Sequence, residues 1–178
     1  MTDILIAFLV SAINEIQPPG KKAFQKIAYF LQESGVPLGL HFGIHLYGPY
    51  SPGLAYTLQS MEMEGLINIE YHGMSSLIKP GITLELFYEK ETIEELTSQW
   101  NDNIQFVLDS LVGKSTSCLE LLSTTHFIAK HRFEEEGALD EDEIISDVIK
   151  LKRDKFKQSQ IMDALSELKQ LGYLSLEI

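Results

Sequence analysis

Five histidines, one cysteine and 26 Asp+Glu are the groups of this 178-residue chain that could hold a metal, attack a carbonyl or move a proton. The histidines do not gather. His41 and His45 are four apart in a segment interrupted by Gly39 and Gly43; on a strand that spacing sets their backbones about 13 Å apart, too far for one ion, and only a helix would let them chelate. His126 and His131 are five apart, about 140° around a helix. Cys118 falls on an apolar stripe with no local base to lower its pKa, so it reads as a small buried hydrophobe. Pairs such as Glu62 with Glu64 and Glu94 with Glu95 read as solvated helix faces. A phosphate-binding Gly loop ending in Lys-Ser/Thr, a GxSxG elbow and an HExxH pair are all missing. We therefore expect no catalytic residue, no metal, no cofactor and no enzymatic activity.

The elements that would position these groups follow from periodicity. Leu5, Phe8, Leu9, Ala12, Ile13 and Ile16 make a helical stripe closed by Pro18-Pro19-Gly20. In Lys21 to Ser34, Phe24, Ile27, Ala28 and Leu31 make a core face, and Lys22, Lys26 and Tyr29 share a neighbouring one. Gly48-Pro49-Tyr50-Ser51-Pro52-Gly53 holds too many turn formers for a helix or a central strand and is expected to be an ordered loop. Leu54, Leu58 and Met61 stripe a short helix ending at Gly65, and Leu66 to Tyr71, Leu77 to Lys79 and Ile82 to Tyr88 read as strands around turns at His72-Gly73 and Pro80-Gly81. That outline predicts a winged-helix-like N-terminal part, residues 1–90, with a small antiparallel sheet.

From Thr92 the pattern is helical. Thr92 with Glu95, Ser117 with Glu120, and Asp140 with Glu143 mark three helix starts of the capping-box kind. The first helix carries Ile93, Leu96, Trp100, Val107 and Leu111; the second Cys118, Leu121, Leu122, Thr125, Ile128 and Ala129. A third spans Asp140 to about Lys152, and a fourth, from about Ser159, uses Ile161, Leu165, Leu168 and Leu171 before Gly172. Leu54 to Glu70 and Ile161 to Glu177 match at one constant offset, so residues 91–178 would end in a second helix-strand unit. The fold expected is α+β, predominantly helical, in one domain over 1–178.

Composition narrows the partners. Lys+Arg number 14, giving a formal net charge of −12, so the average surface repels phosphate and anionic lipid. The apolar run Ile4–Ile13 is too short for a bilayer and lacks the basic leader of a secretory signal, so no membrane role is expected. A single cysteine suits a reducing cytoplasm. No Lys or Arg lies between Lys26 and Lys79, which makes the N-terminal module a poor reader of DNA. The one basic cluster is Lys150, Lys152, Arg153, Lys155 and Lys157. A transcriptional regulator touching DNA through those five residues is the rival reading.

Lys26-Ile27-Ala28-Tyr29-Phe30-Leu31, Gly35-Val36-Pro37-Leu38, Phe42, Leu46-Tyr47-Gly48-Pro49-Tyr50-Ser51-Pro52 and Leu58 to Ile67 form a pattern together. It resembles the YwgA-like group of prokaryotic proteins, itself similar to the Panacea (SocA-like) antitoxin domain. That pattern pairs a Lys-x-x-Tyr-Phe helix with a Tyr-Gly-Pro-Tyr/Val loop. The resemblance covers about residues 20 to 70, more weakly Leu122 to His126 and Lys155 to Leu174; the Trp usual in the Panacea domain before its loop is His45-Leu46 here. It implies a non-enzymatic, antitoxin-like module that binds a protein, a toxin or a second copy of itself. Lys22, Lys26, Tyr29, Tyr47, Gly48, Pro49 and Tyr50 are the expected contact residues. Tyr47 and Tyr50, held by Gly48, Pro49 and Pro52, would offer rigid aromatic area; alternatively they pack inward on Lys26 and Tyr29.

Overall fold

A computed structural model describes residues 2–87 and 97–174. Its elements run α1 (Thr2–Asn14), α2 (Lys21–Glu33), β1 (Gly43–His45), β2 (Gly48–Tyr50), α3 (Pro52–Met63), β3 (Ile67–His72), β4 (Ser75–Pro80), α4 (Ile82–Phe87), α5 (Asn101–Leu111), α6 (Thr116–Glu136), α7 (Glu141–Lys152) and α8 (Gln158–Gln170), with 3-10 turns at Ser98–Trp100 and Arg153–Lys155. The fold is α+β and predominantly helical, with two antiparallel two-stranded sheets, β1-β2 and β3-β4. Two compact units divide it. The first runs to Phe42 and resumes from Ser51 to Lys114; the second takes Gly43–Tyr50 and continues from Ser115.

In the first unit the stripes become buried faces. Leu5, Leu9 and Ile13 of α1 are buried, and α1 packs on α3 and β4. Asn14 ties that packing down: its Nδ2 donates to the Val10 and Ile78 carbonyls at 2.7 and 2.9 Å. On α2, Phe24, Ile27, Ala28 and Leu31 are buried as their spacing predicts. Leu54, Leu58 and Met61 of α3 are at most 3% exposed, and each buried side chain of that size contributes roughly 1.5–3 kcal/mol. Helix α3 starts at Ser51, whose hydroxyl accepts from Leu54 N, followed by Pro52 in the first turn. Gln25 of α2 clamps that start: its Nε2 donates to Ser51 O at 3.0 Å and its Oε1 accepts from Ser51 N at 2.9 Å.

The β3-β4 ladder pairs Ile69 with Ile78, both buried, and closes where Gly81 N donates to Leu66 O. A side chain at Gly81 would put its Cβ 2.1 Å from Gly65 O, so the backbone approach there needs glycine. Past that point the sequence expectation fails. Ile82 to Tyr88 alternates like a strand, yet Ile82–Phe87 is helix α4. The cause is Gly81: Thr83 N donates to Gly65 O and Leu84 N to Gly81 O, turning the chain back before it can pair. Only Leu84 of the alternating set is buried; Ile82 and Leu86 are exposed, and Tyr88 lies outside the described residues.

Other details shift. Gly48–Tyr50, expected as a loop, is strand β2, paired with β1 in register Gly43↔Tyr50, Ile44↔Pro49 and His45↔Gly48. Pro49 is tolerated because each strand of a two-stranded sheet is an edge. The cap of α6 is Ser115, which accepts from Cys118 N, rather than Ser117. Cys118, one turn into α6, is half-buried rather than fully buried. Asp140 caps α7 through Glu143 N as its spacing predicts. The start at Thr92 and Glu95, with Ile93 and Leu96, lies outside the described residues, as do the residues after Leu174 that would form the last strand.

Candidate functional site

The second unit is built on α6. Its 21 residues are capped by Ser115 at one end and by Gly137 in the left-handed conformation (φ 71°) at the other. Against it pack α7, α8 and the hairpin strand β2. The hairpin approaches closely at Gly48, where φ is 88° and a Cβ would stand 2.7 Å from Thr124 Oγ1, so a side chain is excluded by conformation and by space. Gly48 and Pro49 are buried, and Tyr47 and Tyr50 point to solvent with 43% and 36% exposure. The His45 ring sits 6.5 Å from Tyr47 and 5.7 Å from Tyr50, completing a small aromatic face.

What pins this hairpin is charge. Lys152, at the end of α7, has a side chain only 1% exposed, and its ammonium donates to the Leu46 carbonyl at 2.8 Å and to Glu120 Oε1 at 2.9 Å. Lys155 donates to Glu120 Oε2 at 2.7 Å, and its ammonium lies 5.4 Å from the centre of the Tyr47 ring. Burial alone would push the Glu120 carboxyl up; the hydrogen bonds from Lys152 and Lys155 outweigh it and hold the carboxyl below its ordinary value. Burial also draws the Lys152 ammonium down, and Glu120 pulls it back only in part. Two cations share one carboxylate, so the carboxylate is doubly satisfied while the buried ammonium is half-neutralised.

A second network ties α6 to α7. Arg132 donates through Nε and Nη2 to Asp147 at 2.7 and 2.6 Å and through Nη1 to Glu136 at 3.0 Å and to Glu143. Lys150 reaches the other Asp147 oxygen at 3.0 Å. The hydrogen bond from Lys150, then that from Arg132, keeps the Asp147 carboxyl below its ordinary value against the cost of burial. Glu141, Asp142 and Glu143 lie in the first turn of α7, where the helix dipole favours acids.

These positions decide what the sequence-derived sites can do. Lys22, Lys26 and Tyr29 belong to the first unit and Tyr47, Gly48, Pro49 and Tyr50 to the second. Lys26 and Tyr29 are each 2% exposed, the Tyr29 ring lying edge-on to Phe30 and Phe42, so neither presents a surface; Lys22 is exposed. Of the five bases proposed for DNA, Lys152 is buried, Lys150 and Lys155 are paired with acids, and Arg153 and Lys157 are exposed. The cluster therefore offers far less free charge than its spelling suggests. His126 is buried with its ring edge-on to Tyr173, and His131 faces Glu134. Among the described residues no three His, Cys, Asp or Glu side chains are placed to hold a metal ion. By spacing Glu120 is a capping carboxylate and Lys152 a member of the basic cluster; 32 residues separate them, and nothing local announces their pairing.

No family model matches the chain. It is similar to a DNA ADP-ribosyl glycohydrolase of Thermus aquaticus, 33% identical over 138 residues that make up 74% of this chain and 35% of that protein. The chain thus spans about a third of the curated relative it matches. This likeness overturns the expectation of no enzymatic activity, because the relative is named as an enzyme. The expectation rested on the absence of short catalytic motifs, and that absence does not exclude an enzyme.

Proposed function

We propose that this chain is the protein-docking module of a DNA ADP-ribosyl glycohydrolase system, working in the cytoplasm and using the β1-β2 hairpin of its second unit as the contact surface. The observation that carries the reading is the hairpin itself. Tyr47 and Tyr50 are exposed, each beside the His45 ring, on a hairpin whose Leu46 carbonyl accepts from the buried Lys152 ammonium. Aromatic side chains held rigid before binding lose little entropy on docking, which is how interface hot spots reach high affinity. The likeness to a third of a larger glycohydrolase supports a separable module within such a system.

The partner class follows from chemistry. A glycohydrolase that strips ADP-ribose from DNA works against an enzyme that attaches it, and a module that docks on that enzyme acts in the same direction as hydrolysis. This is the antitoxin-like role in physical terms. A net charge of −12 suits a partner whose own surface is basic enough to hold DNA. The experiment co-expresses the full chain with a DNA ADP-ribosyltransferase and measures three things: complex formation by size exclusion, self-association of the chain alone, and release of ADP-ribose from a modified oligonucleotide. A stable complex supports the docking reading. Release of ADP-ribose by the chain would add a catalytic role to docking, absence of a complex would overturn the docking reading whether or not ADP-ribose is released, and a self-associated chain that ignores the transferase would replace the partner with a second copy.

A further inference from the structure

Between α6 and α7, at the edge of the hairpin, the second unit carries an open groove of about 500 Å³. Its floor is apolar: Ile44 from β1, Phe127 and Ile128 from α6, and Leu151 from α7. Ile44 is 43% exposed, so the floor is open to solvent at the hairpin end. The rim is charged, and its two cations, Arg132 and Lys150, are outnumbered by the acids that pair with them. Arg132 is engaged by Glu136, Glu143 and Asp147, and Lys150 by Asp147. What remains in excess is negative: against Arg132 and Lys150 stand their partners Glu136, Glu143 and Asp147 and, on the lining itself, Glu135, with Asp140 and Asp142 at the start of α7; Glu134 faces His131, which also lines the groove, and Glu141 pairs with Lys169.

An apolar floor under an acidic rim has a definite complement. We propose that this groove receives a cationic amphipathic helix of the protein partner, apolar side chains down and Lys or Arg side chains against the rim; the inference rests on the docking reading above and names the element that docks. The volume suits a few anchoring side chains, with the rest of the helix lying over the rim. Such helices read as apolar residues at i, i+3 or i+4 and i+7, and like-charge repulsion from the rim excludes an acidic segment or a phosphate-bearing ligand. The groove lies beside the hairpin, because Ile44 belongs to both, so a helix in the groove and contacts at Tyr47 and Tyr50 would form one interface.

The test uses the full chain and a fluorescein-labelled Leu/Lys peptide of about 14 residues whose leucines follow the helical period. A scrambled peptide of the same composition is the control for simple charge attraction. Ile44→Ser removes apolar floor, Glu135→Lys reverses rim charge, and Asp163→Lys makes the same charge change on α8 outside the groove. By anisotropy, the periodic peptide is expected to bind about tenfold more tightly than the scrambled one, Ile44→Ser and Glu135→Lys each to weaken it about three- to tenfold, and Asp163→Lys less than about twofold. Equal binding of both peptides, an Asp163→Lys effect as large as that of Glu135→Lys, or displacement of the peptide by ADP-ribose would overturn the inference. Glu135 is exposed, so its variant reports on the groove even if Ile44→Ser disturbs the hairpin. A transferase that binds the chain while peptide affinity ignores both groove variants would retain the docking role and reject the groove.

Discussion

Replacing Glu120 by Leu removes the one carboxylate that two ammonium groups share. Lys155 is 42% exposed and can turn to water, but Lys152, 1% exposed, would keep its charge in a site that offers only the Leu46 carbonyl. Stranding a buried charge in this way costs about 3–5 kcal/mol. Lys152→Met keeps the volume and leaves Glu120 paired with Lys155, so its cost is mainly the orphaned Leu46 carbonyl, about 1–3 kcal/mol. Combining the two removes the stranded charge, and the double variant should be less destabilised than Glu120→Leu alone, which requires a coupling larger than the cost of Lys152→Met, about 3 kcal/mol. Urea unfolding followed by circular dichroism at 222 nm measures the three stabilities. Hydrogen exchange over residues 43–50 shows whether the hairpin loosens with them. A Glu120→Leu loss under about 1 kcal/mol, or a double variant equal to the sum of the singles, would refute the account of Lys152 as a buried charge that fixes the hairpin.

Three further outcomes follow from local geometry. Gln25→Leu leaves the N–H of buried Ser51 unmet and takes one of two donors from its carbonyl, which still accepts from Ala55 N, and should cost about 2 kcal/mol by the same unfolding assay, more than Ser51→Ala, which loses a cap worth about 1 kcal/mol. Arg153 sits at φ 52°, ψ −129°, a conformation that suits glycine, so Arg153→Gly should raise stability by about 1 kcal/mol, and a loss would show that this residue's side chain does something unseen. The lowered pKa of Glu120 means that its ion pair stabilises fully above 4.5, the ordinary glutamate value, and is lost as pH falls through the lower folded value; Glu120→Gln should flatten that part of the stability-pH curve, and an unchanged acid limb would assign it to other groups.

The sequence made the helices legible because their stripes are long and their caps explicit, as at Asp140 with Glu143 and at Ser51 with Pro52. Elements whose fate depends on a distant backbone were not. Ile82 to Phe87 alternates correctly for a strand, and only the approach of Gly81 to Gly65 turns it into a helix. The tyrosine pair of the hairpin was visible as residues, and its exposed side was fixed by contacts with α6 that no local spelling contains. The basic cluster misled for the opposite reason. Spelling counts charges, and Glu120 takes up two of the cluster's five, Lys152 and Lys155.

Calorimetric titration of the full chain with a DNA ADP-ribosyltransferase tests most directly the proposal that the hairpin face binds a protein. Saturable one-to-one binding is expected, which Tyr47→Ala and Tyr50→Ala each weaken by about 30-fold, the size of a hot-spot loss near 2 kcal/mol, without lowering the chain's own stability by a comparable amount. Binding that ignores both tyrosines, or no binding at all, would contradict it.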